Sequence, residues 1–184
     1  IGNITMDQVA KQARLSRALL YVYFRDKGDL HLGLSERALG LLHERFAQAV
    51  ARHPTGLEQV TAIGRAYVAF AAEFPVYFDA LASFQAKEVA AGEVTGSVGE
   101  CFQAGQRVHQ IMFTAIEAGQ KDGSIDAAAG SPVSIAMTLW GCMHGVIQLV
   151  ATKGDVLGEY GVGGHGLAEQ ALQVLAAGLR PGRR

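Results

Sequence analysis

The sequence predicts a globular all-α fold, and two observations carry the prediction of helices. Apolar side chains recur at every third or fourth position over most of the chain, which is the period of an amphipathic helix. Three of the four prolines, Pro54, Pro75 and Pro132, fall where such apolar patterns begin or end, as proline does at helix boundaries. The 184 residues are 49% apolar and 18% charged, so the chain is globular with a substantial core.

The distribution of charge limits the classes of partner. A net charge of -1 argues against a chain that coats nucleic acid or anionic lipid along its whole length. Residues 1–52 hold eight basic and five acidic side chains, whereas residues 53–184 hold eight basic and twelve acidic ones. The N-terminal part is therefore mildly basic and the remainder mildly acidic.

Cysteine usage and hydropathy predict a cytoplasmic protein without a membrane partner. Cys101 and Cys142 are too few for a disulfide framework, and neither belongs to a set with metal-ligand spacing, so we expect no metal and no cofactor. The longest apolar-rich stretch, residues 135–151, is interrupted by His144 and Gln148 and is shorter than the ~20 residues of a membrane helix. We interpret it as a buried helix.

The first 24 residues predict two short helices in a helix-turn-helix. Thr5 is the N-cap candidate of a helix over residues 6–13, and Ser16 is the N-cap candidate of one over residues 17–24. Helical spacing turns Leu20 and Phe24 toward the core. The same spacing leaves the outward side chains of the second helix free to enter a major groove. The inward residues of the first helix are Met6, Val9 and Ala10, and the outward ones of the second are Arg17, Ala18, Tyr21 and Val22.

The rest of the chain predicts six further helices. They are expected over residues 27–52, over residues 57–74, from Pro75 through Phe84, from Cys101 to a turn at residues 121–124, over residues 132–152 and over residues 167–179, with loops at residues 90–99 and 153–166. The helix after Pro132 is apolar on two sides, so it needs its own core on one side and a partner on the other. We place the domain boundary between residues 1–50 and 51–184.

An ordered set of N-terminal residues resembles the DNA-binding domain of the TetR family of bacterial transcriptional regulators. The matching positions are Thr5, Val9-Ala10, Ala13-Arg14-Leu15-Ser16, Leu20-Tyr21-Val22-Tyr23-Phe24 and Lys27. Arg14 stands where the family has a turn glycine, so it either adopts a left-handed conformation at a cost of about 1 kcal/mol or shifts the turn. Leu19 stands where the family has threonine. The family's first helix, which precedes a segment like residues 1–3, has no counterpart in this sequence.

The resemblance implies roles for individual residues. The residues that would face bases are Arg17, Ala18, Tyr21 and Val22. Tyr23 would bind a phosphate. The complete candidate set for contact with operator DNA is Thr5, Ser16, Arg17, Ala18, Leu19, Tyr21, Val22, Tyr23 and Lys27. Thr5 and Lys27, like Tyr23, would hold phosphates.

The second half resembles, more loosely, the TetR-family effector domains that carry a Trp-x-x-x-His-Gly motif. Residues 116–125 and 139–147 carry that likeness. It implies a homodimer in which the last two helices form a four-helix bundle, and a cavity for an uncharged or weakly polar effector. The candidate effector contacts are Phe70, Phe74, Tyr77, Phe78, His109, Met112, Phe113, Met137, Trp140 and His144. Aromatic residues at helical spacing are equally typical of a core, and a hydrogen-bonded core histidine is the alternative for His144.

The function implied is a DNA-binding transcriptional regulator, a repressor that a small hydrophobic ligand releases from its operator. The alternative is a DNA-binding adaptor or architectural protein of the same fold without an effector. An enzyme is disfavoured, because the sequence has no ordered nucleophile, base and acid set, no glycine-rich phosphate loop and no metal-ligand spacing.

Overall fold

The computed structural model describes residues 4–83 and 96–182, which are helical with no strand among them. The predicted all-α fold is therefore confirmed. The helices are α1 (Met6–Ala13), α2 (Arg17–Tyr23), α3 (Lys27–Val50), α4 (Gly56–Glu73), α5 (Pro75–Ala82), α6 (Gly96–Asp122), α7 (Pro132–Glu159) and α8 (Gly164–Leu179). A short 3-10 turn, Ala127–Ala129, stands between α6 and α7.

The chain folds into two compact units, each assembled from two stretches of sequence. The first unit holds residues 1–41 and 75–106, and the second holds residues 42–74 and 107–184. The N-terminal part of α3 and of α6 belongs to the first unit, and the C-terminal part of each belongs to the second. The proposed domain boundary after residue 50 stays a prediction.

The helix-turn-helix forms through side-chain caps that the sequence predicts. Thr5 Oγ1 accepts the N–H of Gln8 at 3.3 Å, and Gln8 Oε1 accepts the N–H of Thr5 at 2.8 Å, which completes a capping box on α1. Ser16 Oγ accepts the N–H of Leu19 at 3.1 Å and caps α2. Arg14 has φ 57° and ψ 35°, so the chain takes the left-handed turn rather than shifting it.

A small core holds α1 against α2. Met6, Ala10 and Leu20 are buried together, and Val9, Phe24 and Leu30 pack against them. The inward residues predicted for both helices are therefore confirmed. This core fixes which side of α2 remains exposed.

Two predicted helix starts and one predicted loop differ from the structure. α6 begins at Gly96 instead of Cys101; Phe84, where the preceding helix was expected to end, and residues 90–95 of the predicted loop lie outside the described residues. The first part of α7 runs to residue 152 as predicted and is interrupted at Lys153, whose φ of -130° and ψ of 21° are not helical. A second helical stretch then runs to Glu159 within the predicted loop, because each of its glycines costs only about 1 kcal/mol in a helix. α8 begins three residues early, at Gly164, where a Cβ would lie 2.5 Å from Val150 Cγ1.

The start of α4 is held by the end of α6. Asp122 Oδ2 accepts the N–H of Gly56 at 2.8 Å, and Ser124 Oγ accepts the N–H of Leu57 at 3.0 Å. Hydrogen bonds from the Ser124 hydroxyl and from the N–H groups of Gly56 and Ser124 lower the pKa of Asp122. The turn that ends α6 therefore also caps α4, which joins two helices distant in sequence.

In a single chain α7 is buried on one side, as the prediction of its own core on that side requires; the partner expected on its other side stays a prediction. Its inner side, which includes Ile135, Met143 and Ile147, packs within the second unit, where α7 contacts α4 and α8. Its outer side leaves large apolar residues exposed, among them Val133 and Leu149. By length and composition alone α7 would also suffice to cross a membrane, a test that core helices of soluble proteins pass as well.

Candidate DNA interface and effector site

The outer face of α2 carries apolar and aromatic side chains that the protein itself does not cover. Val22 is 76% exposed, and Tyr21 and Tyr23 are also exposed, whereas Leu20 on the opposite side is buried. Ala18 shares the exposed face. Because burial of such side chains is favourable, a helix that presents them outward is suited to contact with another surface.

Arg17 is held in place on this face by two neighbours. Its Nε lies 3.0 Å from Asp7 Oδ1 of α1, and its guanidinium carbon lies 5.6 Å from the centre of the Tyr21 ring. Both charged side chains of the pair are mostly exposed, so the ion pair contributes at most about 1 kcal/mol and can be exchanged for a base. The two contacts orient Arg17 before DNA is bound.

The remaining candidate DNA contacts lie at helix starts. Thr5 and Ser16 are N-caps, Leu19 is exposed in the first turn of α2, and Lys27 is the first residue of α3 and is half-buried. Backbone N–H groups at a helix start attract phosphate oxygen, and a lysine at the same place adds positive charge.

Sequence reasoning missed the pair of Arg25, between α2 and α3, and Asp29, in the first turn of α3. Asp29 Oδ2 accepts the backbone N–H of Arg25 at 3.1 Å, and Asp29 Oδ1 lies 3.3 Å from Arg25 Nη2. The bond from the Arg25 N–H is the largest cause of the lowered pKa of Asp29. The four-residue spacing of an arginine and an aspartate at the predicted start of α3 was the available signal.

The second unit contains a hydrogen-bonded aromatic cluster built around Tyr67, which sequence reasoning also left out of the effector site. Trp140 Nε1 donates to the Tyr67 hydroxyl at 3.3 Å, and that hydroxyl lies 2.8 Å from His144 Nδ1. Burial raises the pKa of Tyr67 to about 12, so the phenol keeps its proton. Which of Tyr67 and His144 donates in the second bond depends on the imidazole tautomer.

Further rings of the second unit extend this cluster. The His109 ring lies 5.3 Å from that of Trp140 and 6.3 Å from that of Phe113. Burial lowers the pKa of His109 and of His144, so both imidazoles are neutral at pH 7. The side chains that the structure brings together here are aromatic and carry no formal charge.

The other candidate effector contacts have different surroundings. Phe70 is buried and packs against half-buried Phe74, with ring centres 5.7 Å apart. Met112 is buried and Met137 is half-buried, both within the second unit. Two further candidates, half-buried Tyr77 and buried Phe78, are on α5 and belong to the first unit.

The described part of the chain has no metal-binding cluster and has an apolar groove in the second unit. No group of three or more His, Cys, Asp or Glu side chains in residues 4–83 and 96–182 could hold a metal ion. A groove of about 260 Å³ lies between α7 and α8. Its lining comprises Ala129, Ser134, Ile135, Thr138, Leu139, Val174, Leu175, Gly178 and Leu179.

The fold and the exposed second helix define a helix-turn-helix DNA-binding protein with a second helical unit. Residues 1–34 match the family described as bacterial regulatory proteins, tetR family, and residues 60–159 match the tetracyclin repressor-like, C-terminal domain. The chain therefore belongs to the TetR family and is a DNA-binding regulator of transcription. A comparison with curated proteins gave no match.

Several solved structures share the fold. A protein of unknown function from Rhodococcus sp. RHA1 is 21% identical with a TM-score of 0.76, over 98% of this chain and 87% of that one. A bacterial regulatory protein in the tetR family from Rhodococcus RHA1 is 12% identical with a TM-score of 0.75, over 99% and 89%. The transcriptional regulator FadR from Bacillus subtilis, in complex with stearoyl-CoA, is 16% identical with a TM-score of 0.71, over 97% and 90%.

Proposed function

We propose that the protein is a cytoplasmic, homodimeric repressor that a small apolar or weakly polar molecule releases from its operator. The observation that carries the ligand part is the uncharged aromatic cluster of Tyr67, His109, Phe113, Trp140 and His144 in the second unit. A ligand site for an uncharged molecule combines aromatic walls with a few polar atoms, and this cluster has that composition.

The hydrogen bonds of the cluster limit the chemistry of the ligand. The Trp140 N–H, which can only donate, is already used by Tyr67, so this indole offers a ligand chiefly its ring face. Neutral imidazoles at His109 and His144 provide no positive charge to balance a carboxylate, and the cluster contains no carboxylate to balance an amine. An uncharged ligand with a large apolar part therefore fits best. The stearoyl-CoA bound to FadR from Bacillus subtilis, which has the same fold, joins a long apolar acyl chain to a charged coenzyme A, so it supports the apolar part of such a ligand only.

The competing function is a DNA-binding adaptor whose second unit is a filled core. A packed Tyr67, Trp140 and His144 network would serve that protein equally well as a structural element. The two functions differ in one measurable property, because only a sensor gains stability by binding a small molecule.

A thermal-shift screen with a library of uncharged apolar compounds tests the ligand directly. A ligand at a hundred times its Kd should stabilise the protein by about 2.7 kcal/mol, which raises the Tm by roughly 5 to 10 °C in a chain of this size. Trp140 is the only tryptophan, so the same compound should change the intrinsic fluorescence. A screen in which no compound alters the Tm, the fluorescence or operator binding would favour the adaptor.

The proposed roles on DNA predict different losses of DNA affinity for one lysine substitution and one arginine substitution. Lys27→Ala should weaken binding to all duplexes alike and lower the salt slope of the affinity by about one, because it removes a phosphate contact. Arg17→Ala should relax the preference for particular bases by about 1 to 3 kcal/mol per lost bidentate contact. Affinities for a selected duplex and for its single-base variants, measured at several salt concentrations, distinguish the two.

Lys121→Ala, an exposed lysine at the end of α6, is the matched control and should bind DNA as the wild type does. Equal losses from Lys27→Ala and Arg17→Ala on every sequence would contradict the assignment of Arg17 to base recognition.

A further inference from the structure

Three hydrogen bonds converge on the carboxylate of Asp29, in the first turn of α3. Two come from the backbone and the guanidinium of Arg25, as described above. The third comes from Ser97 in the first turn of α6, whose hydroxyl donates to Asp29 Oδ1 at 2.9 Å. Only 11% of the Asp29 side chain is exposed, so this carboxylate is largely satisfied by the protein instead of by water.

The bond to the Arg25 N–H fixes the geometry of the turn that joins α2 to α3. Arg25 follows Phe24, which packs into the core of the helix-turn-helix, and stands two residues before Lys27. Asp26 Oδ1 accepts the N–H of Asp29 at 2.9 Å and closes the same turn from the other side. The relative orientation of the recognition helix and the Lys27 ammonium therefore depends on where the Asp29 carboxylate is held.

Ser97 lies on α6, which runs alongside α3 in the first unit. Asp29 pairs with Ser97, and a Cβ added at Gly105 would lie 4.0 Å from Leu39 Cδ1, so the two helices run in the same direction. The buried Cys101 lies between these two points on α6. Burial raises the pKa of its thiol, and the negative charge of Glu36 on α3 raises it further. Ser97 thus reaches Asp29 from a neighbouring helix.

We propose that Ser97 is a positioning residue for DNA binding, which orients Asp29 and through it the turn between the recognition helix and α3. A hydrogen bond to a carboxylate is stronger than one between neutral groups, and a partner that fixes one carboxylate oxygen leaves the other aimed at the Arg25 N–H. The first turn of α6 then acts as part of the DNA-reading apparatus. The proposal rests on the DNA-binding function of the family and is independent of any ligand.

The test compares three full-length variants on one duplex, selected by the wild-type protein from a random-sequence pool. Ser97→Ala should lower the affinity for this duplex about tenfold, the effect of one lost hydrogen bond to a charged group. Ser97→Thr keeps the hydroxyl and should restore most of the affinity. Gln103→Ala, an exposed neutral position on α6, should bind as the wild type does. The Tm of Ser97→Ala should stay within a few degrees of the wild type.

Two readouts separate positioning from a general loss of structure. Hydrogen exchange of the Arg25 amide should be faster in Ser97→Ala than in Gln103→Ala, because its acceptor is no longer fixed. The affinity loss of Ser97→Ala combined with Asp29→Asn should be no larger than that of the worse single variant, because both act through one contact. Wild-type affinity of Ser97→Ala, failure of Ser97→Thr to restore binding, or fully additive losses would each overturn the proposal.

Discussion

Gly56→Ala should destabilise the protein by about 3 kcal/mol or more, because the added methyl group would overlap backbone atoms that cannot move aside. A Cβ at this position would lie 2.0 Å from Gly119 N, 2.3 Å from Gly119 Cα and 2.5 Å from Ala115 O. These atoms are all backbone, so no side-chain rotation can make room. The start of α4 would have to move away from α6, which would also stretch the bond from the Gly56 N–H to Asp122.

Thermal unfolding followed by circular dichroism gives the measurement. The expected loss lowers the Tm by roughly 10 °C in a chain of this length. Gly40→Ala is the matched control, because Gly40 lies exposed within α3 and an added Cβ would meet nothing within 4 Å. That change should raise stability by up to about 1 kcal/mol, the difference in helix propensity between the two residues. Equal effects of the two substitutions would contradict the close approach at Gly56.

A neighbouring glycine gives a second, milder variant. A Cβ at Gly119 would lie 2.6 Å from Ile125 Cδ1 and 2.7 Å from Ile125 Cγ1. These are side-chain atoms, which can partly turn aside, so Gly119→Ala should cost less than Gly56→Ala, about 1 to 3 kcal/mol. A wild-type Tm for Gly119→Ala would contradict the close contact between Gly119 and Ile125.

The features that local chemistry decides could be predicted from the sequence. Thr5 and Ser16 are residues whose side-chain oxygens satisfy the first N–H groups of a helix, and both are N-caps in the structure. The inward orientation of Leu20 and Phe24 follows from helical periodicity. The helical stretch from the kink at Lys153 to Glu159 was missed. Residues 153–166 are rich in glycine, but each glycine weighs against a helix by only about 1 kcal/mol, so a short helix can still form there.

The features that distant contacts decide could not be predicted. Periodicity places Tyr67 on the inner side of α4, but its hydrogen bonds to Trp140 and His144 join residues more than seventy positions apart. In the same way Asp29 and Ser97 are 68 positions apart, and nothing in either local sequence indicates the other. Such pairings depend on how helices pack, and that is fixed by the shape of the whole core.

Val174→Glu should convert a dimer of this protein into monomers and lower its affinity for the operator at least a hundredfold. Val174 is 59% exposed on α8 and lines the groove between α7 and α8, whose lining residues are all uncharged. Leu149, further along α7, is also exposed. An uncharged groove flanked by exposed apolar side chains is typical of an interface, and two-fold symmetry would bring the same face of a second copy against it.

A glutamate there acts twice, because symmetry places one carboxylate from each copy in the interface. Each buried charge without a partner costs several kcal/mol, and the like charges repel, so dimerisation at micromolar concentration should be lost. A dimer binds two half-sites whose centres are about 34 to 36 Å apart, or a multiple of that distance. A monomer binds only one half-site, so loss of the dimer lowers the affinity for the operator. Val146 on α7 is a less suitable position for this test than Val174, because it is half-buried and a charge there would also disturb the fold of the single chain.

Light scattering coupled to size-exclusion chromatography measures the mass of each variant, and binding to the selected duplex measures the consequence. Val76→Glu is the matched control, since Val76 is 62% exposed on α5, outside the α7 and α8 surface. That variant should remain a dimer with wild-type affinity. A Val174→Glu protein that stays dimeric and binds the duplex normally would exclude this surface as the interface, whereas loss of the dimer in both variants would show that exposed charge alone, and not the position on α8, is responsible.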